Sequence, residues 1–168
     1  MAKNYWMIVT TPENYRITKD LGFTAQPLKG QHPRKVQRVE PGDRMLFYVG
    51  TSRRFAATAT VASKYYEDTT PTWHKDGATD WKYRVGIKPG LVLDDDREID
   101  ALQLAPRLEY VRRWAPEDWY IAFAQSDLHL LPKRDFLLVE EEMRKLKARA
   151  SRRRQRPVRS PEPTASSS

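Results

Sequence analysis

Chemistry needs particular side chains at particular spacings, and the candidates in this chain are few. His32, His74 and His129 lie far apart in the sequence, with no pair at i, i+4 and no acid partner nearby. They do not form the local cluster that a zinc site uses. Asp94-Asp95-Asp96-Arg97-Glu98 has the charge of a calcium loop without its geometry. Ile99 stands where the turn needs glycine and Ala105 where a bidentate glutamate is needed, so the segment reads as a solvated acidic loop. Ser52, in Gly50-Thr51-Ser52-Arg53, lacks the second glycine of a nucleophile elbow, and nothing points to a base for it. Lys29-Gly30 has the residues of a phosphate loop in the wrong order, and the seven glycines are scattered. With no cysteine in the chain, disulfides, thiolate metal sites and cysteine nucleophiles are excluded together. The residues imply no metal and no cofactor.

What the chain has in excess is rings. Five Trp, eight Tyr and five Phe, with Trp6, Trp73, Trp81, Trp114 and Trp119 among them, are more than a core of this size must use, and several of these rings lie beside polar or basic residues. Flat rings next to hydrogen-bonding groups are the materials of a pocket for a nucleobase.

Those residues must be positioned by elements that the hydrophobic pattern reveals. Tyr5-Trp6-Met7-Ile8-Val9-Thr10 has strand length, and Thr11-Pro12-Glu13 follows with a capping hydroxyl, proline in the first helical position and an acid in the first turn. The helix should stop near Leu21-Gly22. Residues 23 to 42 look irregular, ending in the turn Pro41-Gly42-Asp43. Residues 44–49 and 55–61 pair as a hairpin. The clearest strand is 81–88, with Trp81, Tyr83, Val85 and Ile87 on a core face and Lys82, Arg84, Gly86 and Lys88 on a wet one, interrupted by Pro89-Gly90. Helical stretches lie around Ala101 to Leu104 and Pro106 to Arg112, and Trp119 to Ala124 reads as another strand. The last element opens at Pro132 and carries Phe136, Val139, Met143 and Leu146 on one helical face. Five or six strands with helices at the edges predict an α+β fold, a small mixed β-barrel with flanking helices.

Charge divides the chain. From Arg144 to Ser168 there are nine Lys or Arg against one acid, Glu162, while residues 1 to 143 hold 21 basic and 21 acidic groups. The net charge of +8 therefore belongs to the C-terminal end. Residues 148–168, rich in Arg, Pro and Ser with one bulky apolar residue, are expected to be a disordered tail behind a domain of residues 1–147. Arg152, Arg153, Arg154, Arg156 and Arg159 serve there either as a solubility device or as an electrostatic arm for nucleic acid. No run of 18 apolar residues and no signal-peptide pattern is present, which predicts a cytoplasmic chain with no membrane partner.

Several short motifs occur in a telling order: Tyr5 to Thr10 followed by Glu13-Asn14-Tyr15; Lys29-Gly30; Val39-Glu40-Pro41-Gly42-Asp43 running into Phe47-Tyr48; Tyr83 to Pro89; Leu108-Glu109-Tyr110-Val111; and Trp119. In this set, over about residues 4 to 143, the chain resembles the EVE domain, one of the PUA-like barrels to which YTH and ASCH domains belong. The resemblance implies a non-catalytic pocket that accepts a modified or flipped base of DNA or RNA, in a monomer. On this resemblance, Thr10, Thr11 and Asn14 offer hydroxyl and amide groups to a base edge. Lys29, Gly30 and Gln31 form a loop over the pocket, and Trp119 is a wall of it with Phe123 beside it. Lys82, Arg84 and the arginines Arg152, Arg153 and Arg154 contact phosphates. The competing class is an enzyme acting on a modified base or nucleotide in the same pocket. It would require a carboxylate or histidine there, and Glu13 is the nearby acid.

Overall fold

The apolar run at the N-terminus folds as strand β1, Tyr5–Thr10, in the computed structural model, which describes residues 3–28, 33–73, 81–112, 114, 116–124 and 126–155. Alternation sends Trp6 and Ile8 to one face of the sheet and Met7 to the other. The Thr11 hydroxyl then accepts the Asn14 N–H at 3.2 Å and starts helix α1, Pro12–Asp20, which stops before Gly22 at φ +74°.

Residues 23 to 42 depart from the irregular stretch that their composition suggests. They contain strand β2, Ala25–Leu28, and helix α2, Pro33–Arg38. Strand β2 has no pattern of its own and includes Pro27, which an edge strand tolerates; its conformation comes from antiparallel pairing with β6. Strands β3, Arg44–Val49, and β4, Arg54–Val61, form the predicted hairpin. After β5, Tyr66–Glu67, strand β6 covers Tyr83–Val92 and runs straight through Pro89-Gly90, where an interruption was expected. A register shift opposite Ala57 and Ala59 absorbs the proline. At Gly90 a Cβ would come within 2.6 Å of Thr58 Oγ1, so the backbones can approach only at glycine. The polar face of β6 is not uniformly wet either, because Arg84 is 5% exposed.

Strand β7, Ile99–Asp100, leads into helix α3, Ala101–Leu104, capped by the Asp100 carboxylate. Residues Trp119–Ala124 form helix α4 and not the predicted strand. A six-residue apolar run carries no decisive period, and the helix gathers Trp119 and Phe123 at i, i+4. Strand β8, Leu128–Leu130, is too short to announce itself. Helix α5, Lys133–Gln155, buries Phe136, Val139 and Met143 completely. It also corrects the boundary at residue 147, since residues 148–155 are helical. Ala, Arg and Gln propagate an established helix without needing an apolar face, and the first proline comes only at Pro157. Residues 156–168, with Arg156 and Arg159, lie outside the described residues.

The eight strands form one mixed sheet in the order β2-β6-β4-β3-β1-β8, with β1 and β3 parallel, β5 added on β6 and β7 on β4. It curls into a half-barrel flanked by helices. One face packs Trp6, Phe47, Val85 and Ile87 against Tyr15 of α1 and Val36 of α2. The other packs Met7, Leu46, Tyr48 and Phe55 against α3, α4 and α5. Among the described residues, no helix is long and apolar enough to cross a membrane.

Candidate functional site

Parallel pairing of β1 with β3 brings both strands to an end together, Thr10 opposite Val49. Three connections meet there. The helix α1 starts at Thr11, the Gly50 N–H of the β3–β4 turn donates to the Thr10 carbonyl at 2.9 Å, and the Asp127 carbonyl before β8 accepts the Val9 N–H at 2.9 Å. Thr10 is half-buried, and its hydroxyl reaches the Thr11 carbonyl only at 3.4 Å, a weak contact. Asn14 is buried on the inner face of α1 with Tyr15 and Thr18. Asp127 is 8% exposed, and its buried Oδ1 has no hydrogen-bond partner among the described residues. Sequence reasoning missed Asp127 because a single aspartate after a short helix carries no motif.

The structure thus brings Thr10, Thr11 and Asn14 together and divides the rest of the predicted set. Trp119 and Phe123 pack edge to face with each other, and Phe123 with Tyr48, on the opposite side of the sheet from α1, at 5% and 1% exposure. Lys29, Gly30 and Gln31 lie outside the described residues. Lys82 stands 3.8 Å from Glu67 and over the Tyr83 ring. Arg84 is committed inside the fold: it pairs with Asp68 at 3.1 Å, donates to the Thr70 carbonyl and stacks on Trp73. Trp73 in turn donates its indole N–H to Thr18 at 2.9 Å, which puts this tryptophan on the α1 side, one turn from Asn14. Arg152, Arg153 and Arg154 belong to the last turns of α5, with Arg152 exposed.

Several other groups of chemical interest are occupied structurally. Asp43 is 3% exposed and accepts three N–H groups at 3.0 Å, from Asn4, Glu40 and the Trp6 indole, which accounts for the Glu40-Pro41-Gly42-Asp43 motif. Asp135 is fully buried and accepts the N–H groups of Glu109 and Tyr110 at 2.9 and 2.8 Å. Glu140 holds Arg44. Asp95, in the predicted solvated acidic loop, binds Lys19 at 2.8 Å and Arg16 at 3.1 Å, and the Lys19 ammonium keeps its carboxyl below the ordinary range. His129 Nε2 faces the carbonyls of Ser126 and Phe123 at 2.7 and 3.1 Å, so it carries the proton, and Nδ1 accepts from the Tyr110 hydroxyl at 2.7 Å. Burial holds this ring below the usual imidazole value. Among the described residues no group of three potential ligands could hold a metal. Glu13 is exposed in the first turn of α1, where the helix dipole favours an acid.

Known proteins resemble this chain in sequence or in fold. A UPF0310 protein of Pyrococcus abyssi (strain GE5 / Orsay) is 25% identical over 147 residues, covering 82% of this chain and 97% of its own. The YTH domain-containing protein mmi1, solved in complex with RNA, superposes with a TM-score of 0.64 at 10% identity over 89% of this chain and 87% of its own. The YTH domain of Zygosaccharomyces rouxii MRB1, solved with N6-methyladenosine RNA, gives 0.61 at 15% identity over 84% and 86%. At such identities these structures share the fold. The family model for the EVE domain matches residues 4–117, and the chain belongs to the EVE domain family.

Proposed function

We propose that this EVE domain is a non-catalytic nucleic-acid-binding module that takes a modified or flipped nucleobase at the end of β1. The observation that carries the reading is Asp127. A buried carboxylate oxygen without a partner costs stability, and the residue that carries it accepts the Val9 N–H through its backbone carbonyl, one residue before Thr10. An acceptor there suits an amino or imino N–H of a base edge, and the Thr10 hydroxyl can donate or accept alongside it. Support also comes from two YTH domains of the same fold that were solved with RNA. The ring that closes the site is proposed to come from the α1 side, where Trp73 lies, since the sheet separates Trp119 and Phe123 from Asn14. Phosphates are attracted by the basic end of α5, where Arg152, Arg153 and Arg154 follow Lys147 and Arg149.

The test is a binding panel of short single- and double-stranded DNA and RNA oligonucleotides carrying individual methylated or hydroxymethylated bases, read for affinity and for conversion of the base. Selective binding of one modified oligonucleotide, without turnover, is expected. Conversion of the bound base would establish the enzyme instead, and no binding to any probe would overturn the reading.

A further inference from the structure

The turn between β3 and β4, Gly50-Thr51-Ser52-Arg53, closes with Arg53 at φ +53°, a left-handed conformation that hairpin loops usually give to glycine. Phe23 is the other non-glycine residue found there among the described residues, and its ring is 3% exposed in the core, so packing accounts for it. Arg53 has no such compensation. Its side chain is exposed, it makes no ion pair among the described residues, and its guanidinium lies 4.2 Å from the centre of the Tyr120 ring. A cation–π contact at the surface is comparable in size to the cost of a left-handed arginine, so the pair adds little net stability to the fold. What it does is hold a guanidinium over the Tyr120 ring, and among the described residues its N–H groups make no hydrogen bond.

The turn that carries Arg53 lies at the end of β1. The turn carrying Arg53 is bonded to the Thr10 carbonyl through Gly50, and a Cβ on Gly50 would meet Val9 Cγ1 at 3.4 Å, so turn and strand end are in close contact. The Arg53 carbonyl also accepts the Ala101 N–H at 2.9 Å, which ties the turn to α3. We infer that Arg53, held over the Tyr120 ring, is a binding residue for the phosphodiester flanking the base at the end of β1. A guanidinium restrained in this way matches two phosphate oxygens with a small further loss of rotamer freedom. The inference rests on the nucleic-acid reading above.

Arg53→Gly separates a ligand-binding role from a structural one, because glycine suits the left-handed position better than arginine. The full chain and this variant are compared, by fluorescence anisotropy at several salt concentrations, on one fluorescein-labelled single-stranded RNA and its DNA counterpart, each with one N6-methyladenine. Arg53→Gly should melt at or above the wild-type temperature. It should bind about tenfold more weakly, with the slope of log affinity against log salt smaller by about 0.7. Arg53→Lys should recover the salt slope and only part of the affinity, since an ammonium keeps the charge without the planar fork. Wild-type binding with unchanged affinity and slope in Arg53→Gly would overturn this assignment alone. Failure of the wild type to bind either probe would overturn it together with the nucleic-acid reading.

Discussion

The turn leading into β3 and the end of β1 are both rich in polar groups, yet they do opposite things. At the turn, one buried carboxylate, Asp43, is saturated by three N–H donors and fastens Asn4, Trp6 and Glu40 to one another. At the strand end, Asp127 Oδ1 is buried without a partner and the Thr10 hydroxyl makes one weak bond. The same residue types are structural where their hydrogen bonding is used up within the chain and available for a ligand where it is not. His129, Asp135 and Glu140 fall on the first side of this division.

The strongest way to break the comparison is to truncate residues assigned to the fold. Phe123→Ala should cost about 3–5 kcal/mol, because the ring is 1% exposed against Tyr48 and Trp119. A variant that melts like the wild type by circular dichroism and loses only ligand selectivity would return Phe123 to the site. Asp43→Ala should cost about 3 kcal/mol, measured by urea unfolding, since it strands the Trp6 indole and two backbone donors. An effect near zero would mean that water replaces the carboxylate and that the turn is not a structural hub.

A gentler test uses pH. The folded His129 pKa lies below the ordinary 6.5, so as pH falls through that value the unfolded chain binds a proton that the folded chain refuses. Stability should therefore drop below about pH 6.5, by at most about 1.4 kcal/mol per pH unit, until the folded ring protonates. Urea midpoints that stay flat between about pH 6.5 and about pH 5 would contradict the buried neutral ring. The smallest effect belongs to Thr11→Ala, which removes the cap of α1 and should cost about 1 kcal/mol in a thermal melt. A larger loss would show that the junction supports more of the fold than one helix end.

How much of this was legible in the sequence depends on the range of the interaction that forms each element. The start and stop of α1, the β3–β4 hairpin and the inner face of α5 follow from capping, turn and periodicity signals written locally. Strand β2 and helix α4 do not. The first exists because β6 offers it an edge, and the second because a six-residue apolar run satisfies two periods equally well. Residues 148–155 were misread for a related reason: composition reports whether a segment can bury itself, not whether a helix already begun at Lys133 continues through it. Thr10, Thr11 and Asn14 could be grouped because they are neighbours in sequence. Asp127 and the turn carrying Arg53 are tied to the end of β1 only through β8 and the β3–β4 hairpin, and Tyr120 meets Arg53 only through α4, so tertiary structure had to supply them.

The most direct test of the central claim is the affinity of Asp127→Asn for the preferred oligonucleotide of the panel and for its unmodified counterpart. The substitution keeps size and removes the charge from an atom that makes no hydrogen bond in the fold, so the melting temperature should hold or rise. The account predicts about a tenfold weaker complex with the preferred oligonucleotide and little change with the unmodified one. Unaltered affinity for both, in a variant that folds normally, would contradict it.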